Sequence, residues 1–169
     1  MIQAFHTPLL LDYIKVCCQL PQDERDQLEA FTGQKYDIDG AAIGNFTVPG
    51  VKWVIKESYD GDPIAIGGFV QKRPGVWRDF MMNTPEAFNK KNWFQLTRIC
   101  RRALDSMFQV NEQGHRFAHR LECIVPAPRL AARPELADWY RVLGYNREAT
   151  LYGYCANGAD AILFSRVRH

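Results

Sequence analysis

The sequence predicts a single α/β domain in which a helical N-terminal part leads into a run of β-strands broken by one long helix. Three observations carry this. Apolar residues recur at helical spacing in Leu10, Ile14 and Cys17/Cys18, and again in Trp93, Leu96, Cys100, Leu104 and Met107. Val51, Trp53 and Ile55 instead alternate with Lys52 and Lys56, the period of a half-buried strand. Glycine or proline stands at most of the points where one pattern gives way to the next.

Taken in order, Met1 to Thr7 carries no element, and Pro8 opens a first helix that ends near Leu20-Pro21. A second helix from Pro21 to about Thr32 closes at Gly33, a residue suited to a left-handed cap. The polar, glycine-containing stretch from Gln34 to Gly50 has no assignable periodicity. From Val51 the strands begin. Asp60-Gly61-Asp62 turns the chain into the apolar run Ile64 to Val70, and Lys72-Arg73-Pro74-Gly75 turns it again into Val76 to Met82, so Lys52 to Asn83 reads as an antiparallel meander.

Thr84-Pro85-Glu86 has the form of a helix start: a threonine cap, proline at the first helical position and an acid in the first turn. The long helix that follows turns Lys91, Arg98, Arg101 and Arg102 away from its apolar face. After Gly114 a strand from about Arg120 to Val125 stops at Pro126-Ala127-Pro128. Pro134-Glu135 opens a short helix closed by Gly144, and strands near Ala149 to Tyr154 and Ala161 to Val167 flank the turn Asn157-Gly158-Ala159. The 169 residues divide into a helical part, 1–50, and a sheet core, 51–169, of one domain.

Composition narrows the function classes. With 47% hydrophobic and 24% charged residues the chain is globular in character, and its longest apolar runs fall far short of the ~20 residues that cross a bilayer. No basic residue precedes Leu9-Leu10-Leu11, and Asp12 follows at once, so no secretory signal is expected and the protein is expected to stay in the cytoplasm where it is made. Five cysteines without a Cys-x-x-Cys argue against a disulfide framework and a zinc knuckle. A net charge of +2 is too small to imply a polyanion partner; the arginines of the long helix read as a solvated face, so no nucleic-acid ligand is expected. His115 and His119 are four apart but straddle the expected helix end at Gly114, so no metal is expected. Gly-x-Ser-x-Gly, Walker and dinucleotide motifs are absent.

The element order, together with Tyr140-Arg141-Val142-Leu143-Gly144-Tyr145, resembles the GNAT acetyltransferase family. The run Tyr59 to Gly68, followed by Gly75-Val76-Trp77 and Ala156-Asn157-Gly158-Ala159-Asp160, resembles the divergent GNAT-like proteins of tailed bacteriophages, including the internal virion and assembly proteins of short-tailed phages. The resemblance spans roughly Val51 to Arg168 and implies a central mixed, mostly antiparallel sheet of about six to seven strands flanked by about four helices. It also implies an acetyl-CoA site on the third meander strand and the start of the long helix: Phe80, Met81, Met82 and Asn83, with Lys90 and Lys91 as point charges for a diphosphate. Tyr140 matches the general acid that reprotonates the departing thiolate; a packing role with the hydroxyl at the rim of the domain is the alternative. Asp79 and Glu122 are candidate general bases, although a carboxylate so placed on a strand is more often simply solvated.

The family's pyrophosphate loop has the form Arg/Gln-x-x-Gly-x-Gly/Ala, whose glycines let successive N–H groups approach a diphosphate. The corresponding stretch here, Met82 to Asn92, contains no glycine; Pro85 removes a donor and Glu86 adds a negative charge. That departure favours a degenerate scaffold with a non-catalytic virion-associated or assembly role, needing no cofactor and contacting phage or host proteins in the host cytoplasm or the virion. The alternative is an acetyl-CoA-dependent N-acetyltransferase acting on a host protein or a small amine. A metal enters neither reading.

Overall fold

In a computed structural model, residues 1–110, 112–114 and 116–168 are described; His115 lies outside them, and with it the His115/His119 pair. The elements are β1 (Gln3–His6), α1 (Leu10–Cys18), α2 (Gln22–Thr32), α3 (Ile38–Thr47), β2 (Val51–Lys56), β3 (Ala65–Arg73), β4 (Val76–Asn83), a 3-10 turn (Pro85–Phe88), α4 (Lys90–Met107), β5 (Arg120–Pro126), α5 (Ala127–Ala132), α6 (Glu135–Val142), β6 (Asn146–Leu151) and β7 (Ala161–Val167).

All seven strands form one sheet in the order β1-β2-β3-β4-β5-β7-β6. The named pairs are antiparallel except β4 with β5, which run parallel because α4 carries the chain back across the sheet between them. The expected meander is β2-β3-β4, and the seven strands lie within the expected range. One face carries α4 and α6 over Ile55, Phe69, Leu121, Cys123 and Phe164. On the other face α1 and α3 cover Val54, Ile66 and Met82, while Ala30 and Phe31 of α2 pack with Ile124 and Ala161. Gly33 adopts the left-handed cap that its position after α2 requires, with φ 71°.

Five expectations change. Met1 to Thr7 contributes β1, four residues whose order comes from pairing with β2 rather than from any pattern of their own. The unassigned stretch holds α3, capped by Asp37, whose side chain accepts from the Gly40 N–H at 2.7 Å; Gly40 and Gly44 dilute its helical signal, and packing on α1 supplies what propensity does not. The helix expected to start at Thr84 starts instead at Lys90, with Asn89 as cap accepting from the Asn92 N–H at 2.8 Å. Thr84 is buried, and its hydroxyl donates to the Ile64 carbonyl at 2.9 Å, which leaves Pro85–Phe88 to form the 3-10 turn. α5 follows β5 directly, with proline in its first turn, where the expected strand simply stopped. β6 occupies Asn146–Leu151, three residues earlier than the expected Ala149 to Tyr154. α3 and α5 raise the helix total above the four expected.

Candidate active site

The parallel pair β4–β5 opens the sheet. Its registers are Val76↔Arg120, Trp77↔Leu121 and Arg78↔Glu122, and there they end. Beyond this point β4 stays paired to β3 as far as Asn83, and β5 to β7 as far as Pro126, so the two strands diverge, each held by its other neighbour. The Thr84 N–H donates across to the Ile64 carbonyl on the β3 side, and the alternation of an antiparallel ladder then directs the N–H and C=O of Asp79, Met81 and Asn83 to the diverging edge. A cavity of about 460 Å³ occupies the splay.

Of the residues expected at the site, Asp79, Phe80, Met81, Met82, Asn83 and Tyr140 line this cavity together. Glu122, Lys90 and Lys91 do not. Glu122, its side chain 13% exposed, instead pairs with Arg120 at 2.8 Å and Arg78 at 3.6 Å. Lys90 and Lys91 are exposed on the first turn of α4, where the Lys91 ammonium is 4.0 Å from Glu57.

Tyr140 is buried, not at the rim: its ring stacks on Phe164 with centroids 4.8 Å apart and meets Tyr145 edge-on. Burial, with Cys123 and Asp79 nearby, holds its phenol well above the usual tyrosine range, so it stays protonated. Asp79 is far from a solvated strand carboxylate. Its Oδ2 accepts from the Tyr145 hydroxyl at 2.7 Å, and its buried Oδ1 has no partner. Burial raises its carboxyl to about 6, against the opposing pull of the Tyr145 and Cys123 hydrogen bonds. The Cys123 and Cys100 thiols beside it are pushed up by burial and by the Asp79 charge, which keeps both from acting as thiolate nucleophiles.

At the wide end of the splay lies a polar bridge that the sequence does not announce. Glu24 of α2, 3% exposed, accepts from Asn83 Nδ2 at 3.1 Å and Arg129 Nη2 at 2.8 Å. Burial holds its carboxyl above the usual range against the pull of Arg129. Since Glu24 can only accept when ionised, it fixes the Asn83 amide with Nδ2 toward itself, and Asn83 Oδ1 is left buried without a partner. Trp53 Nε1 and Arg78 Nε are likewise buried and unpartnered, and both residues also line the cavity. Four unmet polar atoms around one space mark it as built to receive polar groups.

On the α4–α6 side, rings run from Phe88 to Trp93 (5.4 Å), Trp139 (4.9 Å) and Tyr140 (5.4 Å), with Arg133 above Phe88. The Trp139 indole N–H is fixed by Thr97 Oγ1 at 3.0 Å. The 3-10 turn uses two of its own amides, Ala87 N–H to Thr84 O and Asn89 N–H to Glu86 O. Among the described residues no cluster of His, Cys, Asp and Glu is arranged to hold a metal ion, and no helix is long and apolar enough to cross a membrane.

No protein-family model matches the chain, and no curated protein matches its sequence. Solved structures do match. A GNAT-family acetyltransferase from Bacillus anthracis is 11% identical over 98% of this chain and 94% of that one, with a TM-score of 0.69. The ribosomal-protein-S5-alanine acetyltransferase of Vibrio fischeri is 16% identical over 98% and 92%, with a TM-score of 0.66. The spermidine N-acetyltransferase of Vibrio cholerae, solved with CoA and spermine, is 12% identical over 98% and 95%, with a TM-score of 0.67. The strand order, the parallel β4–β5 pair and these likenesses together give the chain the GNAT acetyltransferase fold.

Proposed function

We propose that the chain is an N-acyltransferase that passes the acyl group of a coenzyme A thioester to a primary amine. The observation that carries the reading is the unpaired β4 edge in the splay, with Asp79 and Tyr140 lining the same cavity. Support also comes from the solved structures of like fold, which include a ribosomal-protein-S5-alanine acetyltransferase and a spermidine N-acetyltransferase.

The site fits such a thioester unevenly. The C=O of Asp79, whose N–H closes the last rung of the parallel ladder, and the free N–H and C=O groups of Met81 and Asn83 suit an amide-bearing pantetheine arm lying along β4. For the diphosphate, with two turn amides already used, the α4 N-terminus contributes the Lys90 and Lys91 N–H groups, with both ammonium groups nearby. When bound, the thioester supplies an activated acyl carbon and a thiolate leaving group. Asp79, with a carboxyl near 6, is largely ionised at neutral pH and accepts a proton from the incoming amine. The Met81 N–H polarises the carbonyl. Tyr140, protonated throughout, returns a proton to sulfur. The C–N bond forms as C–S breaks, and the proton lost by nitrogen is balanced by the one gained by sulfur.

Titration calorimetry with acetyl-CoA tests this. Micromolar binding that is lost in the Lys90→Glu/Lys91→Glu variant supports the reading; no heat at millimolar ligand retires it.

A second reading, a phage virion or assembly protein that keeps only the scaffold, draws on the self-bonded turn and on the Phe88–Trp93–Trp139 rings between α4 and α6. Mass spectrometry of purified virions and assembly intermediates is its test, and absence from both removes it.

A further inference from the structure

The motif Tyr-x-x-Leu-Gly-Tyr ends on Tyr145, which the proposed chemistry leaves without a task. Its ring is 2% exposed, and its peptide N–H donates to the Tyr140 carbonyl at 3.0 Å, so α6 sets the position of both phenols at once. A buried phenylalanine would fill the same space. What the hydroxyl adds is one hydrogen bond, 2.7 Å long, to Asp79 Oδ2.

We infer that Tyr145 is a positioning residue: its hydroxyl anchors one oxygen of Asp79 so that the other, unpartnered in the cavity wall, is presented to the incoming amine. This rests on the acyltransferase reading and extends it by one residue. The geometry distinguishes the two carboxyl oxygens. Oδ2 is engaged by a phenol that cannot move without disturbing Tyr140, whereas Oδ1 is buried, bare and on a residue lining the cavity. The titratable and charged groups around the carboxyl are Tyr145, Tyr140, Cys123, Cys100 and Arg78. Of these, burial keeps both phenols and both thiols neutral, and Arg78 is shared with Glu122. Tyr145 is then the strongest local donor holding Asp79 ionised. A hydrogen bond to a charged group that is lost on one side of a titration moves the midpoint by about one pH unit.

The experiment follows the Asp79 carboxyl by carbon NMR, its signal assigned by its loss in Asp79→Asn. In Tyr145→Phe the midpoint is expected to rise by about one pH unit. The acid limb of kcat/KM should move with it, so that activity falls about five-fold at about pH 6 and recovers above about pH 8. Should Tyr145→Phe fail to fold, a difluorotyrosine placed at 145 keeps the shape and strengthens the donor, and the midpoint should fall. A midpoint unmoved in both variants overturns the positioning role. Absence of any acyl transfer by the parent protein instead overturns the acyltransferase reading, and the two failures are separable because the NMR midpoint needs no turnover.

Discussion

Arg78 and Glu122 are the last paired residues of β4 and β5, and their side chains meet at 3.6 Å at the apex of the splay. Directly beyond them the next residue of β4, Asp79, enters the cavity. One step along a strand turns a side chain to the opposite face, so two neighbouring charges, Arg78 and Asp79, serve different ends although both line the cavity: Arg78 ties off the sheet through Glu122, and Asp79 is held by Tyr145.

That difference separates the two carboxylates proposed as bases. Asp79→Asn should lower kcat/KM for amine acetylation by ~10²–10³ fold, within the range lost when a general base is removed. Glu122→Gln, at a residue that does not itself line the cavity, should change it by less than about three-fold. Steady-state kinetics on both variants decides; the reverse ranking would move the base to β5.

Asp79 also makes a stability prediction with a definite sign. Its folded carboxyl lies near 6, above the ordinary 3.8, so between these values the folded state holds a proton that the unfolded state has lost. Wild-type stability should therefore fall as pH rises from about 4 to about 6 and stay low above that, by at most ~3 kcal/mol. Asp79→Asn abolishes the dependence. Its melting temperature should exceed that of the wild type at about pH 7.5 and converge on it at about pH 4, as read by calorimetry.

Tyr140→Phe keeps the ring stacked on Phe164 and removes only the hydroxyl. Acetyl-CoA affinity and melting temperature should stay close to wild type while kcat falls ~10² fold or more, since a proton donor to sulfur acts only in the transition state. An unchanged kcat would leave Tyr140 as packing alone.

Much of this architecture was legible in the residues because it is written in local pattern: the Val51–Ile55 alternation, Gly33 after α2, and the apolar stripe of α4 all rest on neighbours within a few positions. β1 was not, because four residues at a sheet edge take their order from a partner about fifty residues away. The helix start at Thr84 misled because a good cap sequence also makes a good buried tie, and the contact with Ile64 won. At the site the six cavity-lining residues came from the family resemblance, whereas Glu24 and Arg129 carry no signal of their own. Glu24 sits in the polar run Gln22-Asp23-Glu24-Arg25-Asp26-Gln27, where nothing marks it as the buried member; only the closure of α2 over the splay does that.

The Glu24–Arg129 bridge allows a last test. Both side chains are nearly withdrawn from solvent, so Glu24 depends on Arg129 for the solvation its charge has lost, while Arg129 also reaches Asp23 at 3.2 Å. Arg129→Met should destabilise the fold by ~3 kcal/mol, because it strands the carboxylate, and the loss should lessen toward acid pH as Glu24 takes up a proton. Adding Glu24→Gln should recover most of that loss, since the amide needs no counter-charge and its oxygen can still accept from Asn83 Nδ2. Denaturant unfolding of the two single variants and the double variant gives the coupling directly. Additive losses would mean that the two charges do not depend on each other, and that the wide end of the splay is held by the packing of α2 rather than by its ion pair.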